Sequence, residues 1–268
     1  MDRKFNRGFT LIEITIVLFI VGLLIAGLLG PLETQLEARD RIATTETMDE
    51  IIETLYGFAI TNGRLPCPDD RSDGDGISDP PFNPADITTA TCTNDEGFLP
   101  WVELGIPQGD AWGNRFTYQV RSPHFTWPES DGVCDGNTAP QELDLCAEGD
   151  INVQTRGDDP GTTPGIEGKA TPNLATELPA VLISHGRNGF GATAITGIAR
   201  PAPPAVNLDE IENTNGDQTF MSRIFVDENA GCADDFDELV TLCEYDDIVK
   251  WLSPALLNNR MVISGQLP

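Results

Sequence analysis

Five aspartates stand within eleven residues in "DDRSDGDGISD" (69–79): Asp69, Asp70, Asp73, Asp75 and Asp79, with Gly74 and Gly76 among them. Carboxylates this close repel one another unless a hard cation bridges them. Ca²⁺ is such a cation, taking about six to eight oxygens in flexible geometry. The spacing departs from the usual calcium loop. With Asp75-Gly76 as the Asp-Gly pair, Arg71 falls on the first ligand position; with Asp73-Gly74 it falls on the third. Neither frame supplies the closing glutamate. A Ca²⁺ loop and a solvated acidic loop both stay open, and the departures weigh toward the second. Asp234, Asp235, Asp237 and Glu238 form another acidic group, and both groups lie beside cysteines.

Other chemistries have less to build on. In "VLISHGRNGFGA" (181–192) Ser184 and His185 are adjacent, so on a strand they face opposite ways. That is a poor start for a nucleophile and its base. Gly186, Gly189 and Gly191 are not followed by a convincing helix carrying a lysine, which weakens the phosphate-loop reading and favours a turn or hairpin. His124 and His185 are the only two histidines, too few for a zinc centre or a catalytic triad with a spare. The net charge of -27 repels phosphate and argues against direct nucleic-acid binding.

One further carboxylate stands where it should not. In "RGFTLIEITIVLFIVGLLIAGLLG" (7–30) Glu13 interrupts an apolar run, Phe9–Leu29, long enough to cross a bilayer as a helix. An ionised carboxylate at mid-bilayer costs on the order of 2.5–3.5 kcal/mol or more. Arg3, Lys4 and Arg7 precede the run, which by the positive-inside rule keeps the N-terminus in the cytoplasm and exports the rest. All six cysteines, Cys67, Cys92, Cys134, Cys146, Cys232 and Cys243, follow the run. An even number on the exported side reads as disulfides, and the absence of a CxxC weighs against metal-bound thiols. Sequence does not fix the pairing; local loops 67–92, 134–146 and 232–243 are the expectation.

The N-terminal stretch resembles the type III signal of type IV pilin-like proteins and the pseudopilins of type II secretion. The residues that carry the likeness are Gly8, Phe9, Thr10, Leu11, Ile12 and Glu13, behind a short basic leader. The resemblance implies that a prepilin peptidase cuts between Gly8 and Phe9 and methylates the new amine. It also implies that Glu13 pairs with the N-terminal amine of a neighbouring subunit in a helical filament, which makes the acid a registry device. Interfacial solvation or protonation of Glu13 are the alternatives, and its first-turn position suits the helix dipole. A second likeness lies in "GFLPWVELGIPQGDAWGNRFTYQV" (97–120), where Asp110, Trp112, Gly113 and Tyr118 match a pseudopilin passage leading into the sheet. There Asp110 can bond its own backbone, Trp112 can bury its ring against the helix and Gly113-Asn114 suits a tight turn. The ending "YDDIVKWLSPALLNNRM" is similar to that of large-headed pilin-like proteins and carries no function.

The implied fold class is α+β and type IV pilin-like: a long N-terminal helix on a small antiparallel sheet with large disulfide-braced loops. Residues 1–8 would be a cleaved cytoplasmic leader, 9–30 a membrane or filament-core helix, 31–62 its amphipathic continuation and 63–268 a β-rich periplasmic head. Leu36, Ile42, Met48, Ile51, Ile52, Leu55 and Phe58 give the helical stripe beyond Pro31, for one helix of about 50 residues ended by Asn62-Gly63. "FTYQV" (116–120), "AVLIS" (180–184) and "SRIFVD" (222–227) read as strands, and 128–174 and 200–219 as loops. The pattern from Tyr245 predicts a short helix capped by Asp246 or Asp247 and broken at Pro254, with a further turn over 255–262.

Three function classes follow. The first is a structural minor pilin or pseudopilin whose partners are sister pilin subunits, the prepilin peptidase, an inner-membrane assembly platform and the membrane itself. It would sit in a bacterial inner membrane with its head in the periplasm, or outside the cell in a pilus. The second is a tip-located minor pilin whose large head recognises a surface or ligand. A membrane-anchored enzyme ranks last, because the head offers no nucleophile–base pair. Ca²⁺ is the one cofactor the residues suggest.

Overall fold

The structure, a computed structural model, describes residues 10–81, 92–122, 125–126, 149–156, 171–227, 230–234 and 241–265, without the side chains of 25–33. Gly8, Phe9, His124, Cys134, Cys146, Asp235, Asp237 and Glu238 lie outside the described residues. Helix α1 spans Leu11–Asn62, 52 residues, uninterrupted at Pro31. Gly63, at φ 71°, stops it in the left-handed region where glycine is unstrained, and its N–H returns to the Ala59 carbonyl.

The chain divides into two units, residues 1–42 and 43–268. In the first, the apolar side chains from Leu11 to Leu24 are exposed around the whole helix. Among the described residues no helix is long and apolar enough to cross a membrane. The described part of the apolar run stops at Leu24, whereas the full run extends to Leu29.

The second unit is layered. Strands β1 (Glu96–Phe98) and β2 (Thr117–Val120) flank the short helix α2 (Trp101–Leu104). Strands β3 (Ile151–Gln154), β4 (Asn173–Leu178) and β5 (Ala180–Ser184) follow, then helix α3 (Leu208–Glu212), strands β6 (Thr219–Met221) and β7 (Ile248–Trp251), and helix α4 (Pro254–Ser264). The main sheet has the antiparallel order β1-β2-β5-β7; a smaller one has the order β4-β3-β6, with β3 and β6 parallel. Together these elements make an α+β fold.

Strand β5 is buried along its whole length. Its even residues, Ala180 and Leu182, join Tyr118, Val120 and the helical stripe Met48, Ile51, Leu55, Tyr56 and Ala59 on one face. Its odd residues, Val181 and Ile183, pack with Ile151, Val153, Leu178 and Phe220 of the small sheet on the other. This two-sided burial is why "AVLIS" is a continuous apolar run rather than an alternating one. Helix α4 adds Leu257 and Met261 to the first face. Ser253 N–H donates to the Tyr56 hydroxyl at 2.8 Å, and Arg260 makes a bidentate pair with Glu53 at 2.6 and 3.0 Å.

Three local expectations need correction. Residues 248–251 form a strand, not a capped helix. Four apolar-rich residues do not separate the two periods, and the free edge of β5 takes them in register, Val181 against Trp251 and Ser184 against Ile248. Pro254 consequently opens α4 at its first turn, where a missing N–H costs nothing, instead of ending a helix. The strand expected at 222–227 lies earlier, at β6, leaving only a Val226–Tyr245 bridge. The two stretches read as loops contain β3, the start of β4, α3 and the start of β6, all six residues or shorter.

The "DAWGN" turn behaves as its residues require. Asp110 accepts from Trp112 N–H at 3.0 Å and Asn114 N–H at 2.8 Å, and its other oxygen accepts from Ser184 Oγ at 2.7 Å. Gly113 takes φ 78°, and half-buried Trp112 packs on the helix-facing core. Burial holds the Asp110 carboxyl above the usual aspartate range against these hydrogen bonds. Asp110→Ala strands three donors, and thermal unfolding of the purified chain is expected to show a loss of about 1–3 kcal/mol. Ser184→Ala, which removes one of these donors and strands only Gly186 N–H from its long 3.4 Å bond, is expected to cost less.

Candidate functional site

The helix start supplies the first site. Thr10 precedes α1, and its hydroxyl accepts from Glu13 N–H at 3.3 Å, while Glu13 Oε2 accepts from Thr10 N–H at 3.5 Å. This reciprocal pair is a capping box, which satisfies two of the otherwise orphaned donors of the first turn. Glu13 is thus tied to its own chain, at the positive end of the helix dipole.

The acidic loop 69–79 divides into two sets. Asp69, Asp73 and Asp79 each bring an oxygen within 4.8 Å of the others, close enough to share a cation. Asp70 and Asp75 do not join them. They turn the backbone instead, Asp70 accepting from Ser72 N–H at 2.8 Å and Asp75 from Ile77 N–H at 2.9 Å. Asp69 is fully buried, and one of its oxygens accepts from Gly76 N–H at 3.0 Å. Burial, with the negative charge of Asp73, Asp75 and Asp79 behind it, pushes its carboxyl up to about 7. The loop is closed by a Cys67–Cys92 disulfide, and Cys232–Cys243 closes a second, shorter loop. Closing such loops removes conformations from the unfolded chain.

Asp234, the described member of the later acidic group, belongs to an ionic network. It accepts from Cys243 N–H at 2.9 Å and pairs with Arg223 at 3.3 Å. Arg223 also pairs with Asp209 at 2.6 Å, as does Arg156 at the same distance. Asp209 lies on α3, and its neighbour Glu210 turns to a different group. Glu210, Asp246 and Asp247, all fully buried, place one oxygen each within 4.8 Å of the other two. Asn188 and Asn207 donate to Glu210, Asn188 N–H donates to Asp246, and Asn213 donates to Asp247, at 2.7–2.9 Å. Burial first and then the charges of Asp247 and Asp246 hold Glu210 well above the ordinary carboxyl range. Nothing in the spacing of 210 and 246–247 announces this meeting; the β5–β7 pairing and the packing of α3 on β6 bring the residues together.

Ser184 and His185 diverge as strand geometry requires. Ser184 is engaged with Asp110, and His185 Nε2 lies 3.0 Å from Thr117 Oγ1.

Residues 3–29 match the prokaryotic N-terminal methylation motif. The chain carries the N-terminal signal of type IV pilins and pseudopilins. Within the signal, the matched segment runs through Gly8, Phe9 and Glu13 into the helix that the capping box opens. Comparison with curated proteins and with solved structures gives no match.

The pilin-type signal concerns the helix; the acidic loop is testable separately. Because the folded-state pKa of Asp69 is raised, the folded chain holds that proton more tightly than the unfolded chain. Its contribution to stability is therefore full below the ordinary aspartate pKa and is lost as pH rises to about 7. Melting temperatures in chelator across that window are expected to fall more steeply for the native chain than for Asp69→Asn.

Proposed function

We propose that this chain is a minor pilin or pseudopilin: a structural subunit cleaved between Gly8 and Phe9, anchored in the inner membrane by residues 9–30 and assembled through α1 into a filament. The observation that carries the reading is the methylation motif at residues 3–29 in register with a helix whose apolar side chains from Leu11 to Leu24 are exposed on every side. A helix apolar all round needs lipid or other helices about it. Sister subunits supply both cover and, at each new Phe9, a positive amine. The prepilin peptidase and an inner-membrane platform are the further partners this requires, and the head would face the periplasm or, in a pilus, the exterior.

A second reading makes the head a tip-located recognition module. It is favoured by a polar cavity of about 530 Å³ lined by Asn94, Asp95, Glu96, Gln119 and Gln218, among others. Gln119 Oε1 is buried there without a hydrogen bond. Copy number separates the readings: near-stoichiometric amounts in sheared filaments would exclude a tip location.

The Thr10–Glu13 capping box sharpens the test of assembly. Glu13→Gln keeps an acceptor for the cap and removes the charge; Thr10→Ala weakens the cap and keeps the charge. If Glu13 pairs with a neighbour's amine, Glu13→Gln is expected to enter filaments as poorly as Glu13→Ala, and Thr10→Ala nearly as well as the native chain. The reverse order would assign Glu13 to helix capping alone. Mass spectrometry of the mature chain is expected to give a methylated Phe9 at its start.

A further inference from the structure

We infer that Glu210, Asp246 and Asp247 bind a divalent cation inside the head, between α3, β7 and the turn that follows β5. The inference is independent of the filament reading and concerns residues separate from the 69–79 loop.

The argument begins with charge. Glu210 and Asp247 are 0 and 2% exposed, and their hydrogen bonds come from the neutral side chains of Asn188, Asn207 and Asn213 and from Asp246 N–H. The adjacent Asp209 shows how this protein treats a buried carboxylate it means to neutralise internally: it sets two guanidinium groups on it. Glu210, next along α3, turns into a group of three acids instead. Taking charged carboxylates out of water is costly, and a bridging cation offsets that cost.

A second observation points to a ligand. Asp247 Oδ1 and His185 Nδ1 are both buried and neither has a hydrogen bond. They face each other at 3.6 Å, too far for one, while His185 Nε2 is fixed by Thr117. A buried imidazole nitrogen and a buried carboxylate oxygen without hydrogen bonds, beside two further carboxylates, form a donor set of three acids with one imidazole at its edge. Such a set suits Ca²⁺ or Mn²⁺, which accept carboxylates readily; imidazole at the edge favours Mn²⁺ of the two.

The backbone is shaped for it. Gly186 has φ 58°, and a Cβ there would lie 2.4 Å from Asp246 Oδ1. Only glycine lets the turn after β5 pass this close to the Asp246 carboxylate, and the same turn supplies Asn188 N–H to that carboxylate's other oxygen. A cation there would join three parts of the chain far apart in sequence: the turn, α3 and the start of β7.

The test uses the full chain, stripped with chelator and titrated separately with Ca²⁺ and Mn²⁺ by calorimetry and thermal unfolding. One equivalent of one of these ions is expected to bind and raise the melting temperature. Glu210→Gln and Asp247→Asn are expected to weaken binding at least tenfold, while Asp69→Asn leaves this site's binding intact. Without metal at neutral pH, Glu210→Gln is expected to melt close to the native chain, since burial already keeps the Glu210 carboxyl uncharged there; that outcome also shows the variant folds. Absence of binding by the native chain at millimolar metal would overturn the inference. So would unchanged affinity in Glu210→Gln, or loss of all binding in Asp69→Asn.

Discussion

The head is organised by the burial of β5 on both of its faces. A strand that is apolar on one side needs one cover; "AVLIS" needs two, and each cover is a different kind of structure. On one side the stripe of α1 from Met48 to Ala59 lies over Leu182, and on the other Ile151, Val153 and Phe220 of the small sheet lie over Val181 and Ile183. The small sheet has few residues of its own to bury and depends on this contact. Large-to-small changes in such a strand remove packing from two cores at once, which makes β5 the least replaceable element of the head.

The same arrangement explains where the acids go. A chain of net charge -27 can keep most carboxylates in water, so each buried one is there because the fold brings it there. Placing β7 beside β5 carries Asp246 and Asp247 into the interior at the strand's start, and α3 meets them with Glu210. Where arginines are within reach the protein uses them: Arg223 lies between Asp209 and Asp234 and stacks over the Tyr245 ring at 4.6 Å. Replacing one member of such a network leaves the other charge buried and uncompensated, so the two pairs hold α3 in place more by the penalty of separation than by net attraction.

Much of this was legible in advance, for identifiable reasons. The apolar run and the three- and four-residue spacing from Leu36 to Phe58 are both long, so α1 follows from them and its end from Asn62-Gly63. β5 was recognisable because β-branched and aliphatic residues run unbroken between turn formers. The "DAWGN" turn was recognisable because Asp and Gly occupy positions where their special backbone behaviour is needed. The short strands β3, β4 and β6 were not, since three to six residues with mixed polarity carry too little periodicity to stand out from a loop. β7 was misassigned because tertiary pairing, not local propensity, decides a four-residue apolar segment. The capping box has a local signal, Thr10-x-x-Glu13, because the two residues stand three apart at the helix start. The group of Glu210 with Asp246 and Asp247 had no local signal, because its members are brought together only by tertiary packing of α3 and β7.

The capping box also changes how Glu13 should be understood. A carboxylate in an apolar helix is usually costed as a bare charge awaiting a partner. Here the partner groups of the single chain are the Thr10 N–H and the first-turn dipole, so the acid is partly satisfied before any assembly. In the proposed filament a neighbouring amine would not rescue an abandoned charge; it would add a cation to a carboxylate already held by its own cap. Only one Glu13 oxygen accepts from Thr10 N–H, and the second can take a further donor without dissolving the first turn. Pre-orientation of this kind lowers the ordering cost that association must meet. In that filament one side chain would both start its own helix and mark where the next helix belongs.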